Sequence, residues 1–577
     1  MMKTAVSQPD ERPHAFAAEE RGGPTLIQPL LPSEQLPHGW LWEGLRGRDL
    51  LVLCLFSVLL VTNVPIIAGA GGASFVYWGL GFLTFLIPSA LVCAQLYRLF
   101  PGEGAVYVWA NKAFGNFWDT FLGFFCNWWP GCIGLTVEAL ACVTSIQALN
   151  ANWLQASWQQ GVAGIVVLVL AQGLCCMGQR RLQRILNSVF LVYLGFFLLL
   201  GCAGVIFVLT GHQPQGNFSS QGWLPGPTTY PLFATVIISL LGMAVPLNLG
   251  AEVRDRCEAS QYLLWGTGIT IGVYLLGTLA VSAVLPPGDL SDPAFLTDLF
   301  STVWGPLGTA LGVINYVVLI GYFICAAAAY NSLFARLLWM AGVDQRLPAM
   351  LGRLRAGVPF HATVVQTLIN VFFIGIVFLI APWLVPSVAQ FSFAVFLVTI
   401  SGAALIWNLA MIGLFLCGII LVRRSQHNWH GGWVLPPVLF YAVCVLGMGA
   451  AAIAIVSTLV AGSPLPSVLS NTDWIYWVLI VTLASLAVGA IVSFLAPEAE
   501  DLSAFFARQI QHVQPSEAQQ ARAATLVAPG GSSFSGQQMA GLPPVPPLSA
   551  RSGSLPNDVP RGRHSDTGSG PLGVPWP

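Results

Sequence analysis

Apolar residues run along this chain in long, nearly unbroken stretches, with the polar residues confined to short intervals between them. A bilayer core of about 30 Å takes roughly 20 apolar residues of helix, and that window predicts twelve crossings. They cover residues 50–68, 76–99, 117–149, 162–177, 185–210 and 232–249, then 262–285, 303–340, 363–384, 391–422, 434–459 and 474–495. The pattern predicts an all-α transmembrane fold. It is flanked by a polar N-terminal tail, residues 1–48, and by residues 497–577, whose Pro, Gly, Ser and Gln content reads as a disordered tail. The N-terminal stretch lacks the compact apolar core of a cleaved signal peptide.

Lysine and arginine set the direction of the crossings, because they resist translocation. Arg46 and Arg48 precede span one, Arg98 and Lys112 follow span two, and Arg180, Arg181 and Arg184 follow span four. Arg254 and Arg256 follow span six, Arg336, Arg346, Arg353 and Arg355 end or follow span eight, and Arg423 and Arg424 end span ten. The alternate loops contain neither residue. One basic side agrees with an even number of spans and puts both termini in the cytoplasm, the expectation for a plasma-membrane protein. The opposite loop carrying Asp289, Asp292 and Asp298 is compatible, since carboxylates have little topological weight.

Composition narrows the function. With 55% hydrophobic and 8% charged residues, most of the chain has the lipid bilayer as its solvent. A net charge of -1 gives no reason to expect nucleic acid as a partner. The 12 cysteines show no metal-ligand spacing and read as small buried hydrophobes. No cofactor motif, no clustered catalytic ligands and no ring of repeated pore charges is visible, so neither an enzyme nor a channel is predicted. No protein partner is specified.

Spans one and six differ from the rest. Span one carries Thr62, Asn63, Val64 and Pro65 near its middle, then Gly69, Gly71 and Gly72; span six carries Leu241, Gly242, Met243, Ala244, Val245 and Pro246 at a comparable depth. Proline removes a donor and crowds the preceding turn while glycine eases non-helical angles, so both are candidates for unwinding. They lie five spans apart, an odd number, so spans one to five (49–230) and six to ten (231–425) would be inverted repeats, with spans eleven and twelve (426–496) accessory. Matched broken helices in inverted repeats are the pointer to a midplane binding site; the bland alternative is a pair of ordinary proline kinks.

The run Asn63, Pro65, Ala68, Gly71, Pro88, Ala90, Leu91, Pro101, Gly102, Gly104, Tyr107, Trp109, Ala113, Phe114 and Gly115 resembles the amino acid-polyamine-organocation superfamily, and within it the branch with glutamate/GABA exchangers. Gly242, Pro246, Asn248 and Glu252 in span six, and Asn331, Arg336, Leu337, Ala341, Gly342, Asp344, Leu347 and Pro348 after span eight, fit the same family. The resemblance implies a twelve-helix LeuT-type fold and a carrier of amino acids or related small amines, working by exchange or ion-coupled uptake. A sensor on a transporter scaffold, or a carrier of another small organic amine, is the alternative. Two departures matter. Ala244 replaces a carboxylate found in many relatives, which argues against a strongly cationic substrate such as a polyamine, and Gln95 replaces a frequent glutamate. Span eight offers Cys325, Ala326, Ala327, Ala328 and Ala329 where sodium-linked relatives have hydroxyls, and span five has no lysine, which favours exchange.

The resemblance also implies the site. Amides near Pro65, including those of Ile66 and Ile67, would hold a carboxylate, and carbonyls of Thr62, Asn63, Val64, Leu240, Leu241 and Gly242 an ammonium group, with Met243, Ala244 and Val245 shaping the pocket. Glu138 is the acidic residue well inside a span, so substrate or proton handling is one reading; a structural role near the outer end of a tilted helix is the other. Asp344 with Arg336, and Glu252 with Arg254 and Arg256, are candidates for a cytoplasmic gate, against a purely topogenic role for the arginines. His361, Trp128 and Trp129 read as structural.

Overall fold

The computed structural model describes residues 31–35, 44–226, 229–254, 256–292, 294–355, 357–384, 391–425, 434–460 and 470–513. Most of the N-terminal tail, and the reading of residues 514–577 as disordered, lie outside the described residues. The chain divides into two units, residues 1–509 and 510–577. The first holds every predicted crossing. Of the second only 510–513 are described, in a helix that covers Asn471–Val513 and so includes residues 497–513, which the sequence reading gives to the tail.

Among the described residues the protein is helical, with two isolated backbone bridges and no strand. Eleven helical stretches are long and apolar enough to cross a bilayer: Gly47–Ala68, Gly72–Leu99, Asn116–Leu149, Ser157–Cys176, Gln179–Leu209, Ala259–Val284, Pro306–Val343, Phe360–Ile380, Ala394–Arg424, Pro437–Val460 and Asn471–Ala496. They are spans one to five and seven to twelve. Span six is absent from that set because it is split into a helix Pro231–Ser239, a non-helical stretch at 240–244 and a tight 3-10 segment Val245–Glu252. The architecture is LeuT-type.

Both predicted breaks are present, and one is displaced. In span one the helix Gly47–Val58 ends, Leu59 and Leu60 adopt non-helical angles (ψ 81° and 72°), and a turn Val61–Asn63 leads into Val64–Ala68. The interruption therefore precedes Thr62–Pro65 by about one turn, and Ile66 and Ile67 lie inside the outer helix rather than at its free end. The reason lies in proline itself, whose ring and missing donor disturb the turn before it. Span six behaves alike: its helix stops at Ser239, six residues or so ahead of Pro246. The two segments also read alike, Leu59-Leu60-Val-Thr-Asn-Val64-Pro65 and Leu240-Leu241-Gly-Met-Ala-Val245-Pro246, an internal repeat of Leu-Leu-x-x-x-Val-Pro.

A second pair of features sits five spans apart. The loop between spans two and three carries a ten-residue helix, Ala105–Phe114, and the loop between spans seven and eight carries another, Phe295–Trp304. The first packs against the inner segment of span six, the second against span eight and the outer part of span five. Their counterpart positions fit two inverted halves.

The broken helices touch. A Cβ at Gly242 would strike the Ser57 carbonyl oxygen, and Gly242 has φ +107°, so only glycine lets span six pass there without strain. Asn63 Nδ2 donates to Ser239 Oγ at 2.8 Å, and Cys54 Sγ lies 3.6 Å from Met243 Sδ. Span three packs along span eight beside them; Gly134 sets its backbone close enough that a Cβ would lie 2.7 Å from Tyr330.

Candidate functional site

Unwinding span one frees carbonyls that water cannot reach, and tyrosines take them up. Tyr330 donates to Ser57 O at 3.1 Å and Tyr322 to Leu59 O at 3.2 Å. The Tyr274 hydroxyl lies 2.8 Å from both Val58 O and Ser239 O and accepts from Leu60 N at 2.9 Å. Tyr274 thus joins the two breaks through a single oxygen. Tyr193 stacks on Tyr322, with ring centroids 4.1 Å apart.

On the outer side of this belt lies a cavity of about 280 Å³. Thr62, Val64, Pro65 and Ile66 of span one line it, with Ser145 of span three, Tyr193 of span five and Asn315 of span eight; Asp292 stands on its wall from the loop after span seven. A separate void of about 10 Å³ adjoins Gly242, Ala244 and Val245, with room for hardly one water molecule. The two breaks adjoin different spaces: span one lines the cavity, span six the small void. Ile67, Leu240, Leu241 and Met243 are core residues, and Asn63 is spent on Ser239. The tyrosine belt lies between the two spaces.

Glu138 sits one turn deeper on span three, on the helix face that carries Ala141 and Ser145 into the cavity wall. It is 5% exposed, and no described side chain hydrogen-bonds or ion-pairs with it. Its carboxylate acts electrostatically on Tyr193, Tyr274, Tyr322 and Tyr330, the same tyrosines that surround the first break.

At the other end, the gate candidates are paired differently from the expectation. Arg336 is 1% exposed and bonds to Glu252 in a close contact, with Glu103 Oε1 3.5 Å from its Nε. Glu103, which the sequence reading passed over, also accepts from the Ala251 amide at 3.1 Å. Burial pushes the Glu103 carboxyl up to about 8, with Arg336 opposing and Glu252 adding to the shift; burial likewise raises Glu252. Two carboxylates against one guanidinium leave the group short of a positive charge, so a proton completes it near neutral pH. Asp344 does not meet Arg336; it accepts from Ser33 N and Ser33 Oγ, each at 2.8 Å. Arg346 lies 3.4 Å from Asp119. Arg254 is exposed and pairs with Leu45 through its backbone, and the Arg256 side chain lies outside the described residues. Loop contacts of this kind depend on how the spans pack, which residue spacing does not reveal.

A family model for amino acid permeases matches residues 51–486. The chain belongs to the amino acid permease family. Similar proteins include an uncharacterized transporter of Legionella pneumophila, 23% identical over 53% of this chain and 67% of that protein, and a probable agmatine/putrescine antiporter of Lactococcus lactis, 21% identical over 58% and 72%. An uncharacterized transporter of Mycobacterium bovis is 26% identical over 48% of this chain and 60% of its own length. The permease is an integral membrane transporter for small molecules and not an enzyme, as the resemblance through Asn63, Pro65 and Gly242 implied. Other side chains in the permease have structural duties: Trp128 donates to Gln366 at 3.1 Å, and Gln95 accepts from Val434 N at 2.8 Å.

Proposed function

We propose that this permease is a secondary active transporter that exchanges amino acids or related small amines across the plasma membrane by alternating access, with both termini cytoplasmic. The observation that carries the reading is the pair of broken helices in mutual contact beside a cavity, closed at the far end by the buried Arg336 cluster. The amides of Val61 and Thr62 open the outer segment of span one and have no partner within it, so they, rather than those of Ile66 and Ile67, suit a carboxylate. The Leu59 carbonyl, which accepts only from Tyr322, keeps a lone pair that suits an ammonium group. Glu252, Glu103 and Arg336 act as the cytoplasmic gate; Asp344 and Arg254 flank it through the N-terminal segment. Exchange also agrees with the Lactococcus lactis relative being a probable antiporter.

Counterflow in proteoliposomes tests this. External labelled substrate should accumulate when, and only when, the vesicles are loaded with an unlabelled amine or amino acid. Binding without flux would instead make the chain a sensor.

A further inference from the structure

The buried carboxylate of Glu138 has no counter-charge, and its surroundings offer none. Tyr274, Tyr322 and Tyr330 direct their hydroxyl protons to the carbonyls of Val58 or Ser239, Leu59 and Ser57, so they turn lone pairs, not donors, toward the interior. The exception is Tyr193. Tyr193 lines the cavity, and its hydroxyl is buried without a hydrogen-bond partner among the described residues. Among the described residues no Lys, Arg or His lines the cavity, whereas Asp292 does, with Asp289 and Asp298 nearby on the same loop. A cavity with an acidic residue on its wall, no basic lining and Glu138 one turn beyond Ala141 on the same helix face attracts cations.

Resting on the carrier reading above, we propose that Glu138 and the Tyr193 hydroxyl form the amine subsite of this permease, and that its substrates are aliphatic amines of net positive charge. A protonated amine has donors for the Glu138 carboxylate, the Tyr193 oxygen and the remaining lone pair of the Leu59 carbonyl. No group on the cavity wall is basic enough to reward a substrate carboxylate with an ion pair. Span three thereby supplies the negative charge that Ala244 withholds from span six.

The test uses full-length permease with two readouts: calorimetric binding of 1,4-diaminobutane, n-butylamine and leucine in detergent, and counterflow of labelled 1,4-diaminobutane in proteoliposomes. Wild type should bind the diamine and the monoamine more tightly than leucine. Glu138→Gln should weaken amine binding by about ten- to a hundredfold, the range for a lost charge-assisted hydrogen bond, while Glu138→Asp keeps part of it. Tyr193→Phe, which leaves the carboxylate in place, should weaken amine binding several-fold and serves if Glu138→Gln elutes as aggregate. Unchanged amine affinity in both variants overturns the proposal, as does a Glu138→Gln effect confined to the pH profile, or a wild type that prefers leucine. Amine binding that depends on Glu138 without any wild-type counterflow would leave the subsite standing and sink the carrier reading.

Discussion

Tyr274 is the residue through which the two interruptions hold each other. Its oxygen serves three backbone groups, and a buried backbone group left without a partner costs about 1–3 kcal/mol. Leu60 N and Val58 O also pair with each other at 3.1 Å, so Tyr274→Phe strips chiefly Ser239 O and should destabilise the permease by about 1–3 kcal/mol, read as a lower melting temperature in detergent. Tyr322→Phe, which strips Leu59 O of its donor, should cost a similar amount. If both variants melt with wild type, the hydroxyls are not what satisfies the break. None of these tyrosines stood out in the sequence, because a tyrosine in an apolar helix reads as packing until the unwound carbonyl it faces is known. Glu138 did stand out, since an ionisable group in a span is conspicuous whatever surrounds it.

At the scale of elements, the crossings were legible because apolar length alone sets them, and the broken spans because proline and glycine announce them. The site of unwinding was read one turn late in span one, since the eye goes to Pro65 while the strain falls on the turn before it. The short helices Ala105–Phe114 and Phe295–Trp304 escaped notice; ten residues give too few turns for a clear periodicity beside much longer apolar runs. Gly242 tests the element directly. Ala at this position meets both a positive φ and the Ser57 carbonyl, so Gly242→Ala should abolish counterflow and lower stability by roughly 1–3 kcal/mol or more. Ala at Gly211, which also has positive φ but nothing within 4 Å, should leave transport intact.

Across the whole molecule, the Arg336 cluster seals one end while the cavity lies toward the other. Removing only the arginine strands two buried carboxylates, so Arg336→Met should cost about 3–5 kcal/mol, and adding Glu103→Gln and Glu252→Gln should restore much of it. The cluster also predicts a pH dependence. Glu103 holds its proton up to about pH 8 in the closed arrangement against an ordinary value of 4.5, so closure binds protons and is favoured at low pH. That advantage fades as pH climbs from 4.5 toward about 8, so exchange should quicken as the pH on the Arg336 side rises through this window, and Glu103→Gln should flatten the rise. A profile identical in the variant would remove Glu103 from the gate.

The inner ends of spans one and six are joined through the main chain: Leu45 N donates to Glu252 O and Arg254 N to Leu45 O, both at 3.1 Å. Such a tie is indifferent to side-chain identity and can drift freely through evolution while its mechanical effect persists. The two half-helices are thereby pinned at the base, and both hydrogen bonds must break before either end can part from its twin.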